Sequence, residues 1–536
     1  MATTSAYPVV TPKVEDLILG TQADPALGNP TSNFTIESIV SLVESTTGVS
    51  KIIAGQGLTI SPSNGKGDVT ISAPTAPQWL TSDAVVTNGV VNYISNLLIP
   101  TSSTSIGDYA FLNMNIDAID FNNQAITNIG AYAFAINKLK GTLALPSTLL
   151  TIGDYAFQDD TTTTNKIELI EFGNQLTTIG VRAFWRNAIT SLSIPSSVIA
   201  IGVDAFRQQE DNLGTKTLTS LTFEPRTTAL TLGSGSFMIN AITSVSIPAN
   251  TVVGSNAFHS STLMSSVVIG DNSTIGTYSF YGNENISSLT IGDNVEFSGS
   301  NAFNINDSVP PIDLLTSVNL PSTTTFTIAG GGTFSDRQNL TTFTVANGAN
   351  SFWPQTINSG VVPGAMFSRC GLTEVSIDSN VTVGAAAFRY NPLTSISIGE
   401  NVTLHTNCFY GSTAVISTIT IPGTTILPIG SSGQFSGVNI TSLIIEEGIT
   451  EIPSTFAATT GVTNVTFPSS VVVINAFSFY SNNISGTLTF ASVITIGARA
   501  FENNPGITTV NLPIGSTINT SGSLASFDNG VTINYV

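Results

Sequence analysis

The stretch "ITSLSIPSSVIAIGVDAF", residues 189–206, decides the fold because its two patterns return along most of the chain. The first pattern is an apolar-x-x-apolar-x-apolar run, here Ile189, Leu192 and Ile194, whose second half alternates apolar and polar residues as a half-buried strand does. The second pattern is "IG-x-x-AF", which ends at Phe206. A short unit repeated in this way predicts a stack of coils rather than one globular core.

The phenylalanine that closes each "IG-x-x-AF" marks the period of the repeat. Most copies are 21–23 residues apart, and the longer periods at 207–236, 304–333 and 335–366 have room for protruding loops. We expect one strand in each coil, a Phe ring in the interior and a Gly at a sharp turn. The anchoring residues are Phe111, Phe134, Phe157, Phe184, Phe206, Phe237, Phe258, Phe280, Phe303, Phe334, Phe367, Phe388, Phe409, Phe435, Phe456, Phe479, Phe501 and Phe527.

A polar residue or a cysteine lies three positions beyond many of these phenylalanines. A buried amide at this position can satisfy backbone groups of its own coil and of the neighbouring coil, so we interpret the position as structural. A polar ladder that binds a ligand is the alternative. Cys370 and Cys408 predict buried thiols rather than a disulfide framework. The residues at the position are Asn137, Asn187, Asn240, Asn283, Cys370, Asn391, Asn482 and Asn504.

The repeated unit resembles the BspA-like leucine-rich repeats, whose coils read L-x-x-I-x-I-P-x-x-V-x-x-I-G-x-x-A-F-x-x-C. The match runs from about residue 88 to the last residue, with Asn often standing where that family has Cys. The resemblance implies a mainly β fold, namely a parallel β solenoid of the leucine-rich-repeat type with about eighteen coils over residues 81–536. Proteins of this kind are often surface or attachment molecules, so the resemblance implies a binding role without naming a ligand.

The first eighty residues differ from the repeats. Residues 1–50 predict an attachment segment in which "SNFTIESIVSLVESTTG", residues 32–48, has the apolar spacing of a short one-faced helix. Residues 51–80 predict a β-hairpin, with a turn at Asn64-Gly65, followed by a linker. This small helix and hairpin form a predicted anchor region.

Two N-terminal stretches, "TPKVEDLILGTQ" and "AGQGLTISPSNGKGDVTIS", resemble segments of bacteriophage fibre and appendage proteins. The resemblance implies a fibre that is made in the host cytoplasm, joins the virion through residues 1–80 and other virion proteins, and attaches to a host surface glycan or protein. It fits an N-terminus without the pattern of a secretory signal. Avidity favours a homotrimer, although no heptad run demonstrates one. A bacterial cell-surface adhesin and a head fibre or decoration protein are the alternatives.

Charge and reactive side chains exclude several classes of function. The chain has 15 basic and 34 acidic residues, a net charge of −19, which disfavours nucleic acid and anionic membranes, and no apolar run predicts membrane insertion. His259 and His405 belong to unrelated coils, and no spacing predicts a metal site or a cofactor. Glu446 and Glu447 are the one carboxylate pair that we considered for glycoside hydrolysis, and adjacent strand-end acids usually point apart. We therefore expect no enzyme.

Aromatic residues just past the anchoring phenylalanines, together with Trp353 in the longer period 335–366, are the candidate ligand-binding residues. They could stack on sugar rings, or they could pack against adjacent coils. The outward strand positions carry Ser and Thr, which suit a solvated face and lack the aromatic and Arg residues of strong binding sites. The candidate residues are Trp185, Tyr281, Trp353, Tyr390, Tyr410 and Tyr480.

Overall fold

The computed structural model describes most of the repeat region. The described residues are 94–100, 103–159, 166–305, 313–321, 323–326, 331–345, 361–519 and 525–536, together with short strands at 59–61, 70–72, 85–87, 90–93 and 351–352. Within this part, the chain is a mainly β solenoid of stacked parallel coils and contains no helix. The fold class that the sequence predicts is therefore confirmed.

Most coils contribute two strands, not the one that the sequence predicts. The longer strand is the alternating segment after the Asn position, and the shorter one is the two or three residues before the repeat Gly. The longer strands are Leu97–Leu98, Ile119–Asp120, Gly141–Ala144, Ile167–Glu171, Ser191–Ile194, Ser220–Phe223, Ser244–Ile247, Ser266–Ile269, Ser288–Ile291, Ser317–Leu320, Thr342–Val345, Ser351–Phe352, Glu374–Ile377, Ser395–Ile398, Val415–Ile421, Asn439–Ile445, Asn464–Thr466, Ser485–Thr489, Gly506–Leu512 and Thr532–Tyr535. The shorter strands are Ser105–Ile106, Asn128–Ile129, Thr151–Ile152, Thr178–Ile179, Ala200–Ile201, Leu230–Leu232, Thr251–Val253, Thr274–Ile275, Glu296–Phe297, Thr325–Phe326, Val361–Val362, Thr382–Val383, Thr403–Leu404, Glu451–Ile452, Val473–Ile474, Thr495–Ile496 and Thr517–Ile518.

Both sets of strands pair in parallel from coil to coil. In the longer set, Leu192 is opposite Leu221 and Ile194 is opposite Phe223. In the shorter set, Ile179 is opposite Ile201. Leu192 and Ile194 are buried whereas Ser191 and Ser193 are exposed, so the alternation read from the sequence separates the core from a Ser/Thr face.

The anchoring phenylalanines form one stack through the core. From Phe111 to Phe435, successive ring centroids are between 4.9 and 6.0 Å apart, and the ring planes are nearly parallel. Offset stacking at this distance is a favoured aromatic geometry and adds to the burial of each ring. Each coil thus extends the core by one ring.

Phe456 is not the anchor that the sequence pattern suggests. The stack is interrupted there, because the Phe456 ring is edge-on to Phe435 and to Phe479. The Ala457 N–H donates to the Ser478 carbonyl at 2.8 Å, as an anchoring Phe does elsewhere. This coil reads "FA" where the others read "AF", so Ala457 occupies the anchor position and Phe456 the position before it.

The repeat glycines are required by the close approach of neighbouring coils. A Cβ on Gly202 would be 2.5 Å from both the Gly180 carbonyl carbon and the Val181 nitrogen, and Gly153 and Gly180 meet the same obstacle. These three glycines do not have a positive φ. Our expectation that a sharp turn selects Gly was therefore wrong, since the requirement is space between backbones.

Left-handed residues stand two positions before and two positions after the anchoring Phe. Around Phe134, these are Tyr132 and Ile136, with φ of 54° and 58°. The N–H groups of Tyr132, Phe134 and Ile136 all donate to carbonyls of the next coil, at 2.8, 2.8 and 2.9 Å. A positive φ costs about 1 kcal/mol or more for a residue other than glycine, and the hydrogen bonds between coils offset that cost.

The N-terminal region is described only in part. Thr59–Ser61 and Thr70–Ser72 pair antiparallel, as the predicted hairpin requires. A second antiparallel pair, Val85–Thr87 with Val90–Tyr93, precedes the first coil and was not predicted. The helix predicted within residues 32–48 lies outside the described residues, and the domain boundaries at residues 50 and 80 stay predictions.

We expect Gly202→Ala to lower the free energy of unfolding by about 2 kcal/mol or more, since the new methyl group has to push two coils apart. Gly107 has the same repeat position in an early coil, and a Cβ there would meet nothing within 4 Å, so Gly107→Ala is the matched control. Thermal melting followed by circular dichroism measures both variants. Equal melting temperatures for the two would refute the close-approach explanation.

Candidate functional site

The face that carries the candidate residues is built from the turn around each anchoring Phe. We name the five residues from two before to two after this Phe the turn face. The Phe and the Ala before it are buried, whereas the left-handed residues on either side direct their side chains outward. Around Phe184, this arrangement leaves Arg182, Trp185 and Arg186 partly exposed. All arginines of the chain except Arg226 and Arg337 lie on the turn face.

The asparagines three positions beyond the Phe lie inside the solenoid, not on the turn face. The Asn240 amide donates to the carbonyls of Phe206, in the preceding coil, and of Phe237, at 3.0 and 2.8 Å. Its Oδ1 accepts from the Gln209 N–H at 2.9 Å. The other asparagines at this position also donate from the side-chain amide to a carbonyl of the preceding coil. They are Asn137, Asn187, Asn283, Asn391, Asn482 and Asn504.

Gln209 and Arg337, which the sequence analysis did not single out, also stand three positions beyond an anchoring Phe. Gln209 Nε2 donates to the Phe184 carbonyl at 2.7 Å. Arg337 is fully buried, donates to the Phe303 carbonyl at 2.8 Å and forms an ion pair with Asp313 at 3.1 Å. Their place three residues after Phe206 and Phe334 was the signal in the sequence that would have found them.

The two cysteines are buried free thiols. Cys370 Sγ is 3.2 Å from the Phe334 carbonyl, which it contacts in place of an Asn amide. Burial raises the pKa of both thiols well above the usual range.

Trp185 lies beneath arginine side chains. The guanidinium carbons of Arg182 and Arg186 are 5.1 and 5.3 Å from the centre of its ring. Arg182 also pairs with Asp204 at 3.2 Å, and Arg207 approaches the same carboxylate at 3.5 Å. We name these five residues, Arg182, Trp185, Arg186, Asp204 and Arg207, the N-terminal cluster.

Tyr390 and Tyr410 share one arginine. The Arg389 guanidinium carbon is 4.4 Å from the Tyr390 ring centre and 5.1 Å from the Tyr410 ring centre, and the two rings are edge-on at 5.5 Å. Arg369 pairs with Asp336 at 3.4 Å and lies 5.8 Å from the Tyr390 ring. These five residues, Asp336, Arg369, Arg389, Tyr390 and Tyr410, are the middle cluster.

A recess of about 440 Å³ adjoins the middle cluster. Gly332 and Ala365, which line it, stand two positions before the Phe, where coils such as those of Tyr132 and Arg182 have a large residue. The polar side chains around it belong to Asn301, Asn304, Ser335, Asp336, Ser368, Arg369 and Arg389.

The other predicted residues are spread along the turn face. The Tyr480 hydroxyl accepts from Asn503 Nδ2 at 2.9 Å, and Arg499, which is paired with Glu502, lies 5.0 Å from the Tyr480 ring. Tyr281 contacts His259 and Tyr278. Trp353 lies outside the described residues.

Sequence reasoning missed a row of stacked tyrosines next to the N-terminal cluster. Tyr109, Tyr132 and Tyr155 stack with ring centres 5.1 and 4.5 Å apart, and Arg182 lies 5.8 Å from the last ring. Burial and the neighbouring tyrosines raise the pKa of Tyr132. The repeated "YAF" in residues 109–111, 132–134 and 155–157 carried the signal.

Titratable groups do not assemble into a reactive centre in the described part of the chain. No group of three His, Cys, Asp or Glu residues there could hold a metal ion. Burial, followed by the charge of Arg207, lowers the pKa of His259. Among these residues no helix has the length and apolar character needed to cross a membrane.

Stacked coils with parallel strands, a Phe core and buried asparagines define a leucine-rich-repeat solenoid. The family described as "BspA type Leucine rich repeat region (6 copies)" matches residues 91–213, 230–360, 312–433 and 429–535, which together make up most of the chain. The chain belongs to this family.

Solved structures align with this chain over most of their own length. A leucine-rich repeat protein from Bacteroides ovatus is 15% identical, with 90% of this chain and 99% of that chain covered and a TM-score of 0.39. A leucine rich cell surface protein from Faecalibacterium prausnitzii is 18% identical, covers 73% and 95%, and has a TM-score of 0.27. The pneumococcal vaccine antigen PcpA is 14% identical, covers 91% and 99%, and has a TM-score of 0.26. A comparison with curated proteins finds no match.

We expect Asn240→Ala to lower the free energy of unfolding by about 2 kcal/mol or more, because it leaves buried backbone groups of two coils without partners. Asn128→Ala is the control, since the Asn128 side chain is exposed and, among described residues, is hydrogen-bonded only by the Thr151 hydroxyl. Urea unfolding measures both variants. An equal loss in the two would contradict the structural role of the buried amide.

We expect the native chain to be unreactive towards a thiol reagent such as dithionitrobenzoate at pH 8, because both thiols are buried and protonated. The full two thiols per chain should react after unfolding in guanidinium chloride. Rapid labelling of the native chain would contradict the burial of Cys370 and Cys408.

Proposed function

We propose that this chain is a bacterial cell-surface attachment protein whose solenoid displays the turn face to a ligand. The observation that carries the proposal is the distribution of side chains in an acidic chain. Six of the eight arginines lie on the turn face, as do Tyr109, Tyr278 and Tyr390, the exposed tyrosines of the described residues other than Tyr535, whereas the outward positions of the longer strands are mostly Ser and Thr. Membership of the BspA-type family supports the attachment role, since the resemblance implies surface or attachment molecules.

A scaffold for binding fits the described site better than an enzyme does. Glu447, one of the two acids that we considered for hydrolysis, is bound to the next coil by the Ser469 and Ser470 N–H groups, at 2.7 and 3.1 Å. These hydrogen bonds lower the pKa of its carboxyl group. A general acid needs the opposite shift, so Glu447 acts as a cap between coils.

Virion attachment rests on the resemblance of residues 1–80, most of which lie outside the described part, and no comparison supports it. One experiment distinguishes a location on the bacterial cell surface from a location on a virion. Limited proteolysis of intact cells of the source organism, followed by mass spectrometry of the released peptides, should detect solenoid peptides.

Release from intact cells, with cytoplasmic marker proteins absent, is the expected result. Peptides found only in purified phage particles, or only after cell lysis, would overturn the cell-surface proposal. A strain of the source organism that lacks the gene is the matched control.

A further inference from the structure

Guanidinium groups lie over four of the rings expected to stack on sugars, those of Trp185, Tyr390, Tyr410 and Tyr480. Arg182 and Arg186 lie over Trp185, and Arg389 lies 4.4 Å from the Tyr390 ring centre and donates to its hydroxyl at 3.0 Å. Attraction between a cation and an aromatic face holds each guanidinium in place. A neutral sugar would have to displace these groups before it could stack on the rings. The groups that the turn face presents to a ligand are therefore arginine side chains already held in position.

Both clusters carry more positive than negative charge. The N-terminal cluster has three arginines and one carboxylate, that of Asp204, and the nearby Glu210 is paired with Lys216. The middle cluster has two arginines and Asp336. Among the described residues, no carboxylate forms an ion pair with Arg186 or Arg389.

Carboxylate is the anion that suits these arginines. A guanidinium group presents parallel N–H donors that match the two oxygens of a carboxylate, and its weak hydration makes the exchange of water for an anion inexpensive. The recess beside Arg369 and Arg389 has the size of a small-ligand site, and its Ser and Asn side chains can bond to sugar hydroxyls.

The two clusters lie on the same face of the solenoid, at equivalent positions of different coils. Eight coil steps separate Phe184 from Phe388, and a spacing of about 5 Å per step places the clusters on the order of 40 Å apart. A linear polymer that follows the solenoid axis can reach both, and simultaneous binding multiplies two weak contacts. Tyr109, Tyr278 and Tyr390 are the exposed large apolar side chains of the turn face, so it lacks an aliphatic patch for a folded protein.

We infer that the turn face binds an acidic polysaccharide, with its carboxylates at the N-terminal and middle clusters and a sugar unit in the recess. This inference rests on the proposed attachment function and names the ligand class for the same face. The carboxylate can belong to a uronic acid or to a sialic acid.

The test measures binding of the full chain to immobilised polygalacturonate and polysialic acid by biolayer interferometry. Polygalacturonate whose carboxyl groups have been reduced to alcohols is the matched neutral probe. We expect saturable binding to one or both acidic polymers, weakened by salt, and no binding to the reduced polymer. The polymer that binds identifies the source of the carboxylate.

Arg186→Gln and Arg389→Gln should each weaken binding about fivefold to tenfold, and the double variant should weaken it further. Lys138→Gln removes the same charge outside the turn face and should leave binding within about twofold. Thermal melting checks that the variants are folded. Equal losses in all variants would overturn the assignment of the site.

Three other outcomes would overturn the inference. These are equal binding to the reduced polymer, binding to dextran sulfate but not to a carboxylated polymer, and no binding to any polymer. If proteolysis nevertheless releases the chain from intact cells, the attachment proposal stands and only the ligand class is wrong.

Discussion

The distance between neighbouring coils is the constraint on which the rest of the structure depends. Parallel strands fix it near 4.8 Å, and backbone hydrogen bonds between the turns hold it on the other side of the coil. At this distance, a residue such as Gly202 has no room for a Cβ, aromatic rings stack face to face, and one buried amide reaches the carbonyls of two coils. The repeated sequence follows from the need to satisfy the same geometry in each coil.

The fold was largely predictable because each of these requirements leaves its own residue type at a fixed spacing. The predictions failed where residue types alone did not determine the position of a residue in the coil. A two-residue strand such as Thr178–Ile179 is too short to show alternation, so only its pairing with Ala200–Ile201 reveals it. Phe456 has the residue type and approximate spacing of an anchoring Phe. In this coil, however, Phe precedes Ala, so Ala457 takes the anchor position and the Phe456 ring does not join the stack.

The candidate site was predictable only in part. The sequence shows that Trp185 and Tyr390 follow anchoring phenylalanines, which places them near the turn. It does not show what covers these and the neighbouring rings, because contacts also join residues of different coils, as between Arg369 and Tyr390 or Arg389 and Tyr410. Those contacts change the chemistry from stacking on a neutral sugar to pairing with an anion.

The turn face holds most of the arginines of an acidic chain together with a few carboxylates, such as Asp204 and Asp336, whereas other carboxylates lie at a second corner of the coil. Glu224 accepts from the Ser196 N–H, Asp271 from the Asp293 N–H and Glu447 from the Ser469 N–H, all in the turn that follows the longer strand. The arginines occupy the turn that follows the shorter strand. Acids accept backbone N–H groups at both corners, since Asp154 accepts from the Val181 N–H at 2.7 Å in the turn that follows the shorter strand, whereas the arginines are concentrated in that turn. The excess of arginine over carboxylate at the N-terminal and middle clusters attracts a polyanion locally, an effect that salt weakens.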